Sequence, residues 1–188
     1  GDVFMWQFLF GFEGVYLGNG GGSGSGNGSV LMKYFKKVDE EGGYEPGIGQ
    51  VVYDAFIMGR TAIVNKDYEL RDQQAAIIKV ELSKVIGYYA IHYMNDYVAK
   101  LEAGNVAKAH HSLSEAWGFL LSLSFTNNGN DEPFMDRATV EYFLDNYLGD
   151  FHSANPGVLT APATAQYPGM IALVLQAFEA NGVTLNIS

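Results

Sequence analysis

From Asp67 to Glu102 the sequence runs for thirty-six residues without a proline and with a single glycine, Gly87. Ile78, Leu82, Val85, Tyr89, Tyr93 and Tyr97 recur there at spacings of three and four, which places them on one stripe of a helix. At 1.5 Å per residue such a helix is about 50 Å long. A rod of that length has to be covered by other helices packed along it, so this segment fixes the fold class before any other is read. Asp67 is the expected N-cap, Glu69 favours the first turn through the helix dipole, and Gly87 is the expected site of a bend.

Neighbouring segments supply the partners. Between Gln50 and Lys66 the positions Val51, Ala55, Met58, Ala62 and Ile63 share one helical face. After the break at Gly104-Asn105, a helix from Val106 to about Ser124 carries Val106, His110, Leu113, Trp117 and Leu120 on one side. Short connections between long helices give antiparallel neighbours. Asp136 to Leu148 reads as another amphipathic helix, residues 154–168 with three prolines as an irregular excursion, and Gly169 to Ala180 as a very apolar last helix with a central or partner-facing position. The acidic run Asp39-Glu40-Glu41, with Gly42-Gly43 and Pro46-Gly47 after it, marks a loop. The expected fold is all-α: an antiparallel helical bundle with long helices, plus a tethered apolar N-terminal arm.

That arm comprises residues 1–17, with a Gly/Ser/Asn-rich linker at 18–29 and the bundle at 30–188. Eight of the ten residues from Val3 to Phe12 are large and apolar. The stretch is too short to span a bilayer, where about twenty apolar residues are needed. It is therefore read as a buried element or as a contact with a protein partner or a second copy of the chain, and no transmembrane span is expected. The linker lacks the Gly-Lys-Ser or Gly-Lys-Thr ending of a phosphate-binding loop and is read as a tether.

Composition narrows the function classes. A chain that is 48% hydrophobic and 17% charged is a globular domain and not a disordered polyanion. Eleven basic residues against 21 acidic ones, with no basic cluster, argue against nucleic acid as a partner. With no cysteine there can be no disulfide scaffold, cysteine-held zinc or thiol nucleophile. No Gly-x-Ser-x-Gly elbow accompanies the serines, so serine hydrolysis is set aside.

The runs Tyr53-Asp-Ala-Phe-Ile-Met-Gly-Arg60, Asn65-Lys-Asp67, Arg71-Asp72, Ile77-Ile78, Lys84-Val-Ile86 and His110-His-Ser-Leu-Ser-Glu-Ala-Trp-Gly-Phe119 together resemble the helical family described as domain of unknown function 4856. The likeness covers residues 47–147, and His110–Phe119 is its most specific part. The resemblance implies an all-helical bundle in an extracytoplasmic (periplasmic, cell-surface or secreted) setting. By its broad similarity to imelysin-like proteins, it also implies a link to uptake of iron or another ligand. The imelysin pattern of a glycine, a histidine and a glutamate three residues on is not met, because Glu115 follows His111 by four.

Candidate site residues follow from helical spacing. His111 and Glu115 are one turn apart and could jointly hold a divalent metal, if His92, Asp96, Asp54 or Glu81 completed the shell; otherwise they form a hydrogen-bonded pair that fixes helix register. His110 is read as a core histidine. Arg60 is expected to pair with Asp72 or Glu115, with anion binding as the alternative. Tyr88, Tyr89, Tyr93 and Tyr97 suit either a core or a cleft for a sugar or planar ligand. Beyond Arg137 no Lys or Arg occurs, so the C-terminal part would attract cations or a basic partner. The leading expectation is a non-enzymatic binding module with a pocket near His111, Glu115, Arg60, Tyr89 and His92. The alternatives are an assembly subunit using the arm and last helix as contacts, and a metal-dependent hydrolase with Glu115 as base.

Overall fold

The computed structural model describes residues 30–187, and within them the chain is all-α with no strand. The seven helices of the described residues are α1 (Val30–Asp39), α2 (Ile48–Val64), α3 (Tyr68–Glu102), α4 (Val106–Leu123), α5 (Arg137–Tyr147), α6 (Gly157–Thr160) and α7 (Met170–Glu179). The apolar arm and the glycine-rich linker lie outside the described residues.

The expected long rod is α3, one uninterrupted helix of 35 residues. It begins where its cap predicts: Asp67 Oδ1 accepts a hydrogen bond from the Leu70 amide at 3.0 Å. It is the axis of the molecule, flanked by α1, α2, α4 and α7. Between Ser83 and Met94 nearly every side is covered, with Val85, Tyr88, Ala90, Ile91 and Met94 fully buried. Gly87 is the reason α7 can approach so closely. A methyl group there would meet the Phe178 ring and Leu185 at 2.8–2.9 Å, so the glycine serves packing within a continuous helix.

A three-residue connection (103–105) returns the chain as α4, antiparallel to α3. Lys100 and Asp96 meet Ser112, and Tyr89 meets Phe119, numbers falling along one helix as they rise along the other. The covered line of α4 is Ala109, Ser112, Leu113, Ala116, Leu120 and Leu123. Val106 and Trp117, expected inside, are exposed. His110 is half-buried with its ring edge-on to His152 at 5.0 Å, so it sits at the border of the core.

On α2 the buried line is Ile48, Val52, Ala55 and Ala62, while Val51, Met58 and Ile63 of the expected face stand 46–48% exposed. Apart from Gln50, Asp54, Arg60 and Thr61 the helix is built of apolar residues, so three-and-four spacing singles out more than one face. Helix α1 was not expected. It is tied to the start of α2 by Asp39, whose Oδ1 accepts from the amides of Gly47 and Gly49, both at 2.9 Å. Helix α5 packs on α4 and α6 on α7. The expected irregular excursion at 154–168 contains the single turn of α6.

Candidate functional site

Three helices bring aromatic rings together on one side of the axis. Tyr89 of α3 is the hub: Tyr34 of α1 lies 4.4 Å away between ring centroids, His92 5.3 Å, Phe119 of α4 5.6 Å and Tyr93 5.9 Å. The tilted and edge-on orientations, such as Tyr34 against Phe119 at 89°, are those that ring quadrupoles favour. Hydroxyls stitch the cluster at its margins. Tyr34 and Tyr93 share a hydrogen bond at 3.2 Å, and Tyr44 Oη lies 2.7 Å from His92 Nδ1.

Above this floor, α1 and α4 leave an open groove of about 450 Å³. Leu31, Tyr34, Ile86 and Phe119 give it apolar walls, and Ser114, Glu115 and Ser122 supply polar points on the α4 side. Gly118 also lines it, and a methyl group at that position would have nothing within 4 Å. A glycine inside a helix costs about 1 kcal/mol against alanine, and Gly118 was the signal available in the sequence. Tyr34 and Tyr44 were not foreseen, because the helix and turn that carry them lie 48–59 residues from their partners on α3.

Burial sets the protonation of the cluster. It pushes the Tyr89 phenol up to about 12, aided by the neighbouring Tyr44, Tyr34 and Glu40, and raises Tyr93 and Tyr44 as well. These phenols are neutral donors at neutral pH, unsuited to serve as nucleophiles. Burial likewise lowers His92 below the ordinary histidine value, against the opposing pull of Asp96. The groove therefore offers ring faces, alkyl groups, a few hydroxyls and one carboxylate. That set suits a planar or apolar organic group held at one end by hydrogen bonds.

Beside the cluster, Tyr44 stacks on Tyr88 with ring centroids 5.1 Å apart and planes 5° from parallel. Lys84 Nζ there lies 2.6 Å from Glu45 Oε1 and 2.5 Å from Glu81 Oε2, while Tyr88 donates to Glu45 Oε2 at 2.9 Å. Desolvation raises the Glu81 carboxyl, although Lys84 pulls it the other way. The Asn186 amide donates to Tyr88 Oη at 3.1 Å, so this knot pins both the loop before α2 and the C-terminal segment to α3.

The sequence candidates divide. Tyr89 and His92 belong to the cluster, and Glu115 lines the groove. His111 points outward, 71% exposed, with Nε2 4.0 Å from Glu115 Oε1, too far for a hydrogen bond. The four groups expected to complete a metal shell are engaged elsewhere: Asp54 with Gln50, Glu81 with Lys84, Asp96 with Lys100 and Ser112, and His92 with Tyr44. Among the described residues no three histidine or carboxylate groups converge on a point. Arg60 is exposed on α2 and makes no ion pair among the described residues; of its two expected partners, Asp72 pairs with Arg71 at 2.7 Å and Glu115 lines the groove on α4.

A second concavity of about 530 Å³ beyond α5 is lined by Asp145, Asn146, Tyr147, Asp150, Ser153 and Asn155. Its Asp150 is spent on its own turn, accepting from the His152 amide at 3.0 Å and from Ser153 Oγ at 3.1 Å.

The family model described as domain of unknown function (DUF4856) matches residues 8–154, a range that includes every residue lining the groove. No curated protein matches the chain, and no solved structure does.

Proposed function

For a chain that belongs to the domain of unknown function 4856 family, we propose the role of a non-enzymatic, extracytoplasmic binding module that holds a planar or apolar organic group in the groove between α1 and α4. One observation carries this reading: a concavity with aromatic floor and apolar walls that has an exposed glycine, Gly118, in its lining. Exposed grooves of this make are costly to leave hydrated, and a ligand that covers them gains about 25 cal/mol for each Å² of apolar surface removed from water. The groove's lining favours an organic ligand over a bare ion, and the imelysin-like link to ligand uptake is proposed in that form. The extracytoplasmic setting rests on the family resemblance; no helix among the described residues is long and apolar enough to cross a membrane.

The neutral fluorophore N-phenyl-1-naphthylamine tests the reading. Its emission is expected to rise and saturate with the wild-type chain, and to fall with Gly118→Leu, whose Cβ has open space at the groove and whose added side chain is meant to obstruct it. Equal binding by a folded Gly118→Leu chain would refute it, as would no saturable binding by the wild type.

The other reading, a structural or assembly subunit, is favoured by α2, where Val51, Ile57 and Met58 are 45–47% exposed and Val64 is 74% exposed. Under it, sedimentation gives a mass that grows with concentration. A mass that stays at that of one chain over the whole concentration range counts against it.

A further inference from the structure

The polar points of the groove between α1 and α4 are nearly all hydrogen-bond acceptors. Ser114 Oγ donates to the His111 carbonyl at 2.7 Å and Ser122 Oγ to the Gly118 carbonyl at 2.8 Å. A carbonyl has no proton to give, so both hydroxyl protons are engaged and each serine turns only lone pairs to the groove. Glu115, the one charged residue in the lining, likewise offers only lone pairs as a carboxylate. Its side chain is 36% exposed, accepts no hydrogen bond among the described residues, and has His111 Nε2 no nearer than 4.0 Å. One hydroxyl proton remains, because Tyr34 and Tyr93 share a single bond at 3.2 Å in which either can donate. We propose that the groove selects an organic cation: a protonated amine whose ammonium sits at Glu115 while its planar or alkyl part lies on Tyr34 and Phe119.

The assignment rests on the reading of the groove as a ligand site and adds the class of ligand. Glu115, Gly118, Phe119 and Ser122 follow three-and-four spacing, so carboxylate and ring share one side of α4 with open space at the glycine between them. Ring faces are negative, which gives a cation a second source of attraction beside the carboxylate. Lys33 of α1 already uses it: its Nζ lies 5.5 Å from the Tyr34 ring centroid, and it forms no ion pair with Glu115 among the described residues. The Glu115 charge reaches the floor of the groove, since burial first, then Tyr34 and then Glu115 raise the Tyr93 phenol. An anion would meet that carboxylate with no ammonium or guanidinium in the lining to offset it, and the chain's net charge of −10 opposes it from further away. A neutral ligand would find acceptors on the α4 side and leave Glu115 to water. An ammonium brings three donors and the opposite charge.

Displacement of N-phenyl-1-naphthylamine from the full chain by three probes of similar shape tests the assignment. The probes are 1-naphthylmethylammonium, 1-naphthalenemethanol and 1-naphthoate, which are positive, neutral and negative near neutral pH. The ammonium is expected to displace the fluorophore at about a tenth of the concentration the alcohol needs, the gain of one charge-assisted contact, with the naphthoate weakest. In Glu115→Gln, which keeps the shape and removes the charge, the ammonium and the alcohol should become equal. The wild-type order needs no variant and stands as the second reading should Glu115→Gln unfold by circular dichroism. If the alcohol or the naphthoate displaces the fluorophore from the wild type as effectively as the ammonium, the proposal is overturned while the groove remains a ligand site. An ammonium advantage that persists in folded Glu115→Gln also overturns it, by assigning the preference to the acidic surface at large. A wild-type chain that never binds the fluorophore overturns the underlying reading and this proposal together.

Discussion

Gly87 and Gly118 sit on two helices that pack against each other, yet their neighbourhoods predict opposite responses to the same change. At Gly87 an added methyl meets Phe178 and Leu185 at 2.8–2.9 Å, and Phe178 cannot swing away because it is fully buried and stacked on Phe134 with ring centroids 3.9 Å apart. Gly87→Ala should therefore destabilise by about 1–2 kcal/mol, overpacking outweighing a helix-propensity gain of about 1 kcal/mol. Gly118→Ala meets nothing and should stabilise by about 0.5–1 kcal/mol. Urea titrations of the two variants check both signs, and a stabilised Gly87→Ala would show that α7 does not seat as described. His92 carries a pH dependence. Burial lowers its folded value below the unfolded 6.5, so the unfolded chain takes up a proton that the folded chain refuses. Its contribution to stability is complete above that value, falls as pH drops through it, and levels off below the folded value. His92→Phe should thus lose less stability than wild type as the pH falls through 6.5. Parallel slopes would contradict this. At this scale helical spacing gave Tyr89 and His92 one shared helix, but the pairing it suggested for Glu115 with His111 is not formed, Nε2 and Oε1 standing 4.0 Å apart. The sequence misled for Arg60, whose expected acid Asp72 has a nearer cation next to it in Arg71.

Among the helices, α3 and α5 were legible because each announces its start with a side chain that does local work. Asp67 accepts from Leu70, and Asp136 accepts from the Thr139 amide at 2.9 Å. Asp67→Ala is expected to cost about 1 kcal/mol by equilibrium unfolding, the usual size of a lost cap, and an unchanged midpoint would mean the helix start is fixed by packing instead. Helix α1 passed unread between a glycine-rich run and an acidic one. Yet Leu31, Tyr34, Phe35 and Val38 carry three-and-four spacing and Lys36 and Lys37 favour its last turn. The inward face of α2 was only partly legible, for a helix with apolar residues on more than one side reveals its orientation through what packs against it. Gly87 shows the same limit. A bend and a close crossing leave the same mark in a sequence, and only the position of α7 separates them.

For the molecule as a whole, one central helix determines which distant residues meet. The all-α bundle was readable from periodicity, since local spacing is a property of the chain itself. The groove was not, because Leu31 and Tyr34 reach Ile86 and Phe119 only after α1, α3 and α4 have packed. The same packing drew the nominated metal ligands apart, each to a partner on its own helix or a neighbouring element, and left an aromatic floor in their place. The account stands on that floor being where a ligand rests. Nuclear Overhauser contacts between bound N-phenyl-1-naphthylamine and the protein's rings measure this directly. Contacts to Tyr34 and Phe119, with none to Tyr147 of the polar concavity beyond α5, are the predicted result; contacts to Tyr147, or to neither Tyr34 nor Phe119, would contradict it.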